Sequence, residues 1–232
     1  MLEGFLTLVF DCDGVVLDSN KVKTEAFRRA ALPYGEDAAQ AIVEHHVANG
    51  GISRYRKFEY FLDNLAPGAR RDGELDQLLA SYASYVREGL MTCDIASDLY
   101  ALRTAWPQST WMIVSGGDQS ELREVFAARG LTSLFNGGIF GSPDSKDDIL
   151  AREIGRGAIA QPAMFLGDSK YDHEVALRFG LDFIFISNWS EVSDAPTWLE
   201  EHKITSLPSL KDLLCPADCT PKAGSSASER TL

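Results

Sequence analysis

No apolar run in the chain approaches the ~20 residues a membrane-spanning helix requires, so nothing in the sequence reads as a transmembrane helix. The start, Met1-Leu2-Glu3-Gly4, lacks the basic stretch of a secretory signal, and the expectation is a soluble, cytoplasmic protein. Positive charge is scarce: 22 Lys and Arg stand against 34 Asp and Glu, a formal net charge of −12. That deficit argues against nucleic acid, which is bound through basic patches, and against anionic membrane surfaces. Cysteine is scarce as well, with four in 232 residues. Cys12 and Cys93 are isolated. Cys215 and Cys219 lack the further Cys or His pair that would complete a ligand set, so they read as incidental thiols. No internal repeat is present.

What the chain does have is an ordinary apolar fraction, 45%, enough for a full core in one α/β domain with a modest insertion. Phe5–Phe10, Trp111–Val114, Ala163–Leu166 and Phe183–Ile186 read as buried strands. Helical patterns fall at Gln119–Arg129, Asp147–Ile154 and Tyr171–Phe179, with a further helix at Ser97–Trp106. That alternation implies a mostly parallel sheet with right-handed crossovers. Between the first two strands, four helical patterns follow one another with no strand among them: Lys21–Leu32, with Asn20 as N-cap, Glu36–Ala48, a third capped by Ser53, and about Gly73–Glu88. The expected architecture is a Rossmann-like three-layer α/β core plus a small all-helical cap, with the core at 1–17 and 91–214 and the cap at 18–90. From 215 to 232 the composition predicts a disordered tail.

The chemistry is concentrated where strands end. Asp11-Cys12-Asp13-Gly14 closes the first strand, and two carboxylates at a buried strand end are costly to desolvate unless a cation compensates them. Ser115-Gly116-Gly117-Asp118 follows the second strand. Lys146 lies in a loop just before a helix. Gly167-Asp168-Ser169-Lys170-Tyr171-Asp172 follows the third strand. Acid pair, hydroxyl, lysine and acid pair thus follow one another, mostly at the carboxyl ends of predicted strands, where open parallel sheets bind ligands.

This set, Asp11-x-Asp13-Gly14-Val15-x-x-Asp18-Ser19, then Ser115-Gly116, then Lys146, then Gly167-Asp168-x-x-x-Asp172, resembles the haloacid dehalogenase superfamily of phosphohydrolases over roughly residues 5–214. The long helical segment after the first strand resembles the subgroup that includes phosphoglycolate phosphatase-like and β-phosphoglucomutase-like enzymes. One departure is the loop Gly141–Lys146, which lacks the Lys-Pro step common in that subgroup.

The resemblance implies Asp11 as nucleophile toward phosphorus and Asp13 as general acid and base. It implies Mg²⁺ held by Asp11, the backbone carbonyl of Asp13 and Asp168, with Asp172 behind them steadying a water or Lys146. Ser115 and the Gly116 N–H would bind phosphoryl oxygens, and Lys146 would balance charge. Arg54, in the loop Gly50-Gly51-Ile52-Ser53-Arg54 between two cap helices, is the expected reader of a substrate anion. Arg56 and Lys57 read as part of a basic helix start, and His45, His46 and His173 as ordinary structural residues. Gly167 stands where some mutases carry a second acid. The expected partner is a small phosphorylated metabolite, a sugar or hydroxy-acid phosphate, hydrolysed with Mg²⁺. A phosphosugar mutase and a non-catalytic binding module on the same fold are the alternatives.

Overall fold

The computed structural model describes residues 2–214. The expected tail from 215 on, with Cys215 and Cys219, lies outside the described residues. Strands β1 (Thr7–Phe10), β2 (Thr110–Asp118), β3 (Gly138–Ser142), β4 (Ala163–Gly167), β5 (Asp182–Ile186) and β6 (Ser206–Leu207) form one sheet in the order β3-β2-β1-β4-β5-β6. Every pairing is parallel.

A central parallel strand is buried on both faces and so reads as continuous apolar sequence. β1 fits this: all four of its residues are buried. Leu8 and Phe10 join Trp111, Ile113, Leu166 and Ile184 on one face of the sheet. Val9 joins Met112, Val114 and Phe165 on the other. The first face is covered by α5 (Leu99–Ala105) and α6 (Gln119–Ala128), through Leu102, Leu122 and Phe126. The second is covered by α7 (Lys146–Gly155) and α8 (Lys170–Arg178), through Ile149, Leu150, Val175 and Ala176. The short α9 (Ala195–His202) completes the core. Chain order turns to opposite sides of β1, with β2 on one flank and β4 on the other. That is the switch point at which doubly wound sheets open a crevice.

Of the five α-helices between β1 and β2, the four before α5 form the cap: α1 (Asn20–Ala31), α2 (Glu36–Ala48), α3 (Arg54–Tyr60), which runs on as a π turn at Phe61–Leu65, and α4 (Glu74–Thr92). They pack around an aromatic cluster, in which the Phe27 ring lies 4.5 Å from Tyr82 and 5.0 Å from Phe58, and which is continuous with the apolar core on one face of the sheet. Among the described residues no helix is long and apolar enough to cross a membrane.

Several elements differ from the sequence expectation. β3 was not anticipated, because Gly-Ile-Phe-Gly-Ser carries two glycines in five residues and glycine weakens any strand signal. β6 has two residues and no pattern to read. β2 does not end at Val114. It continues through Ser115-Gly116-Gly117-Asp118, with an irregular register against β3 between Val114 and Asp118. Asn20 is the first helical residue of α1, and Ser19 takes the N-cap position. α4 runs two residues past the expected edge of the cap, to Thr92.

Gly89 locks α4 onto α1. Replacing a helical glycine by alanine ordinarily stabilises by about 1 kcal/mol. Here a Cβ would lie 2.2 Å from Val22 Cγ1 and 3.2 Å from Val22 Cβ, and a β-branched side chain cannot swing aside. Overpacking of this kind costs about 1–3 kcal/mol, so Gly89→Ala should lower the melting temperature. A stabilised variant would show that α1 and α4 part easily.

Candidate active site

Two helix caps build the centre of the site. Ser145 caps α7 with its side chain on the Asp148 N–H, in a reciprocal capping box, which makes Lys146 the first helical residue. Ser169 caps α8 in the same way with Asp172. The two helix starts meet. Lys146 Nζ lies 2.5 Å from Asp172 Oδ1 and 3.0 Å from Asp11 Oδ2, with the lysine and Asp172 side chains fully buried. The other Asp172 oxygen accepts from the Ser169 N–H at 3.1 Å and the Ser169 hydroxyl at 2.6 Å.

Asp11 follows β1 and Asp168 follows β4, and these strands are neighbours. The carboxylates of Asp11, Asp168 and Asp172 offer oxygens within 4.8 Å of one another, all buried. Asp168 Oδ2 also accepts from Asn20 Nδ2 at 2.7 Å. Gly14 makes this approach possible. It has φ +76°, and a Cβ there would fall 2.0 Å from Asp168 Oδ2.

Three carboxylates around one lysine leave uncompensated negative charge. Burial pushes Asp11 up from 3.8 to about 7; Lys146 draws it down, while Asp172 and Asp13 raise it. Burial, with Asp11 and Asp172 alongside, raises Asp168 well above the carboxylate range. Burial works against the charge on Lys146, but Asp11 and Asp172 hold it above the ordinary lysine range. An excess of buried, hard oxygen donors fits a small divalent cation such as Mg²⁺. Asp11 and Asp168 are the residues best placed to hold one, because both line the pocket and Asp172 does not.

Asp13 faces the cap. Its Oδ1 accepts from Ser19 Oγ at 2.6 Å and its Oδ2 from Lys23 Nζ at 2.5 Å. Its partial burial opposes its charge, yet Lys23 and Ser19 hold it below the ordinary carboxylate value. Ser115 is fully buried beside it, 3.5 Å from Asp13 Oδ2, and its hydroxyl accepts the Gly117 N–H at 3.0 Å. Gly116 marks where the cap meets the core, since a Cβ there would lie 2.3 Å from the Gly51 carbonyl oxygen.

Asp11, Asp13, Asp168, Gly116 and Arg54 all line one pocket, a cavity of about 60 Å³ roofed by Lys23, His46, Lys57 and Tyr82. The structure does not leave Arg54 free to read an anion. Arg54 bonds Glu121 at 3.0 Å, lies 3.4 Å from Asp118, and is buried. It joins α3 of the cap to the end of β2 and the start of α6, where Tyr55 also donates to Asp118 at 2.7 Å. Sequence reasoning missed the part played by Lys23, Asn20, His46 and Lys57. A signal was present: Lys23 shares a helical face with Ala26, Phe27 and Ala30, and Lys57 shares one with Phe61. A cation on an apolar stripe is either mispacked or employed.

No family model and no curated protein matches the sequence. Solved structures do match the fold. A predicted phosphoglycolate phosphatase from Haemophilus somnus superposes with a TM-score of 0.70 at 16% identity, covering 90% of this chain and 96% of that one. A haloacid dehalogenase-like hydrolase from Streptococcus pneumoniae gives 0.64 at 19% identity, covering 90% and 97%. A β-phosphoglucomutase from Clostridium difficile gives 0.69 at 16% identity, covering 90% and 93%. The chain therefore has the haloacid dehalogenase-like fold, in the form shared by phosphoglycolate phosphatase-like and β-phosphoglucomutase-like structures.

Two predictions follow from the charges. Asp11 titrates at about 7 when folded, against an ordinary 3.8, so the folded protein binds more protons between those values. Stability without metal therefore falls as pH rises through that window. In EDTA, from about pH 5 to about pH 8, Asp11→Asn should gain in melting temperature on the wild type as pH rises; parallel curves would contradict the charge excess. Arg54→Ala should lower turnover to a similar degree on p-nitrophenyl phosphate and on larger phosphate esters, since its partners are Glu121 and Asp118. A loss confined to the larger esters would restore the anion-reading role.

Proposed function

We propose that this chain is a Mg²⁺-dependent phosphomonoester hydrolase acting on a small phosphorylated metabolite through an aspartyl-phosphate on Asp11. The observation that carries the reading is the convergence of Asp11, Asp168, Asp172 and Lys146 at the ends of β1 and β4, beside Asp13 and under the cap.

When bound, the cation supplies positive charge between Asp11 and the phosphoryl dianion, which would otherwise repel each other. The rest falls to the chain. Lys146 holds Asp11 through one oxygen and fixes the direction of the other, whose place is set by the Cys12 N–H at 2.7 Å. The attacking carboxylate oxygen forms the bond to phosphorus, and the ester P–O bond breaks with its electron pair on the leaving alkoxide. Asp13 protonates that alkoxide. In the second half Asp13 takes a proton from water, the water oxygen bonds phosphorus, and the Asp11–phosphorus bond breaks to regenerate the carboxylate. The balance is ester plus water giving alcohol plus phosphate.

In the closed form Lys23 and Ser19 keep Asp13 ionised, which is the state needed for the water step. Lys23 belongs to the cap helix α1, so opening of the cap would remove the cation that favours this state and let Asp13 protonate for the leaving-group step. Gly116 lines the pocket, and its N–H would serve the phosphoryl oxygens, with the buried Ser115 beside it. Gly167 favours hydrolysis over mutase chemistry: a Cβ there would lie 2.4 Å from the Asp172 Cβ, so a second acid has no room before Asp168.

Hydrolysis of p-nitrophenyl phosphate should require Mg²⁺, vanish in EDTA, and fail with Ca²⁺, whose looser coordination would let both Asp11 oxygens bind and pull the attacking one out of line. Asp11→Asn should lose turnover while remaining folded. Full activity in EDTA, or near wild-type turnover in Asp11→Asn, would overturn the proposal.

A further inference from the structure

The cap brings three buried cations to the pocket, and two are paired with acids. Lys23 is held by Asp13. Arg54 is held by Glu121 and Asp118. Lys57 is different. It is 2% exposed and lines the same cavity as Asp11 and Asp168. Its polar partners both belong to His46, with Nζ 2.6 Å from Nδ1 and 3.3 Å from the carbonyl oxygen. Among the described residues no carboxylate forms an ion pair with it. Phe27 flanks it, with the ring centroid 5.5 Å from Nζ.

His46 is the second half of the observation. It lines the same cavity, and its ring lies against Phe27 at 4.5 Å. Its Nε2 is buried without a hydrogen-bond partner among the described residues. Burial, with Lys57 and Lys23 nearby, keeps the imidazole neutral. With Nδ1 accepting from Lys57, the ring proton resides on Nε2, which is then a donor. A buried ammonium and a buried N–H donor therefore share one wall of the pocket: the ammonium meets only neutral acceptors, both on His46, and the Nε2 donor meets none among the described residues. Unsatisfied buried donors are rare because each carries the full desolvation cost. Burial pulls Lys57 down to about 7, with Lys23 adding to the effect and Asp13 and Glu191 opposing it; an anion beside it would reverse that.

We infer that Lys57 and His46 form a subsite for a second oxyanion on the substrate, so that the ester cleaved at Asp11 carries a carboxylate or a second phosphoryl group at its far end rather than a neutral polyol. The inference rests on the proposed hydrolase function and deepens it. Both sources share the chemistry of an oxyanion accepting from an ammonium and an imidazole N–H. The small cavity of the closed form favours a short spacer between the two anions.

Three esters of matched length separate the cases: glycerol 3-phosphate with a hydroxyl end, 3-phosphoglycerate with a carboxylate end, and propane-1,3-diol bisphosphate. Wild-type protein with Mg²⁺ should favour one of the two anion-ended esters over glycerol 3-phosphate in kcat/KM by about tenfold or more, and which one identifies the oxyanion. Lys57→Met keeps the length of the side chain and removes its charge. It should bring that preference down to about unity, and His46→Leu should reduce it by a smaller factor. A lysine kept only for structure would behave otherwise. Removing an uncompensated buried charge should hold or raise the melting temperature of ligand-free Lys57→Met, even as the preference falls. Calorimetric binding of the three esters to Asp11→Asn protein, with and without Lys57→Met, reads the subsite independently of turnover. If no ester is hydrolysed yet binding of an anion-ended ester still depends on Lys57, the hydrolase reading fails and the subsite stands. A wild-type protein that binds and turns over all three alike overturns the subsite, as does a folded Lys57→Met that keeps the wild-type preference.

Discussion

The contact on which the site depends is the buried ammonium of Lys146 between Asp11 and Asp172. A lysine and two aspartates this deep are tolerable only together, because removing either sign leaves an uncompensated charge in a low-dielectric interior. Their meeting is arranged by local rules. Ser145 and Asp148 start α7 one residue before the lysine, and Ser169 and Asp172 start α8 so that the acid falls in its first turn. Two capping boxes, each a short-range feature of sequence, thus aim a cation and an anion at the same point from neighbouring helices. The sheet then delivers Asp11 and Asp168 to that point on adjacent strands. One positive charge among three carboxylates is not neutrality, and the remaining imbalance gives a divalent cation its place.

Polar contacts tie the cap to the core at this rim. Lys23 reaches Asp13, Asn20 reaches Asp168, Arg54 reaches Glu121 and Asp118, and the Gly51 carbonyl rests against Gly116. Behind them the aromatic cluster of the cap helices around Phe27, Phe58 and Tyr82 is continuous with the apolar core on one face of the sheet. The ion pairs of the rim can open and reform, because water and substrate can satisfy the same groups. The tie also runs through the functional acids themselves, so the position of the cap and the charge state of Asp13 are parts of one equilibrium.

Strand ends were legible because a buried strand closing on acids is a local contradiction that only a cation relieves; Asp11, Asp13 and Asp168 announce themselves that way. Lys146 was legible only in company, since a lone lysine at a helix start resembles any surface residue, and its burial is set by Asp172, 26 positions further along the chain. β3 and β6 were illegible because pairing with a neighbour, not internal pattern, makes them strands. Arg54 was expected at the start of a cap helix, where it is, and free to read an anion, which it is not, because its partners Glu121 and Asp118 lie more than sixty residues away and nothing in the sequence near Arg54 points to them. Lys57 was read only as a neighbour of Arg54 in a basic helix start. Phe61, four residues on, carried the further message that it faces inward.

The net charge of −12 poses a problem for any phosphorylated ligand, and the distribution of buried charge answers it. Long-range repulsion is damped beyond the ~8 Å Debye length, so what matters is the lining. There the acids are gathered at the floor, where a bound cation would neutralise them, or are already matched by Lys23 and Arg54. Lys57 and the His46 N–H remain on the roof with no acid of the chain to answer them. A pocket with a cation-demanding floor and an anion-demanding roof is complementary to a molecule that is itself charged at both ends, and that polarity persists whatever the sign of the surface outside.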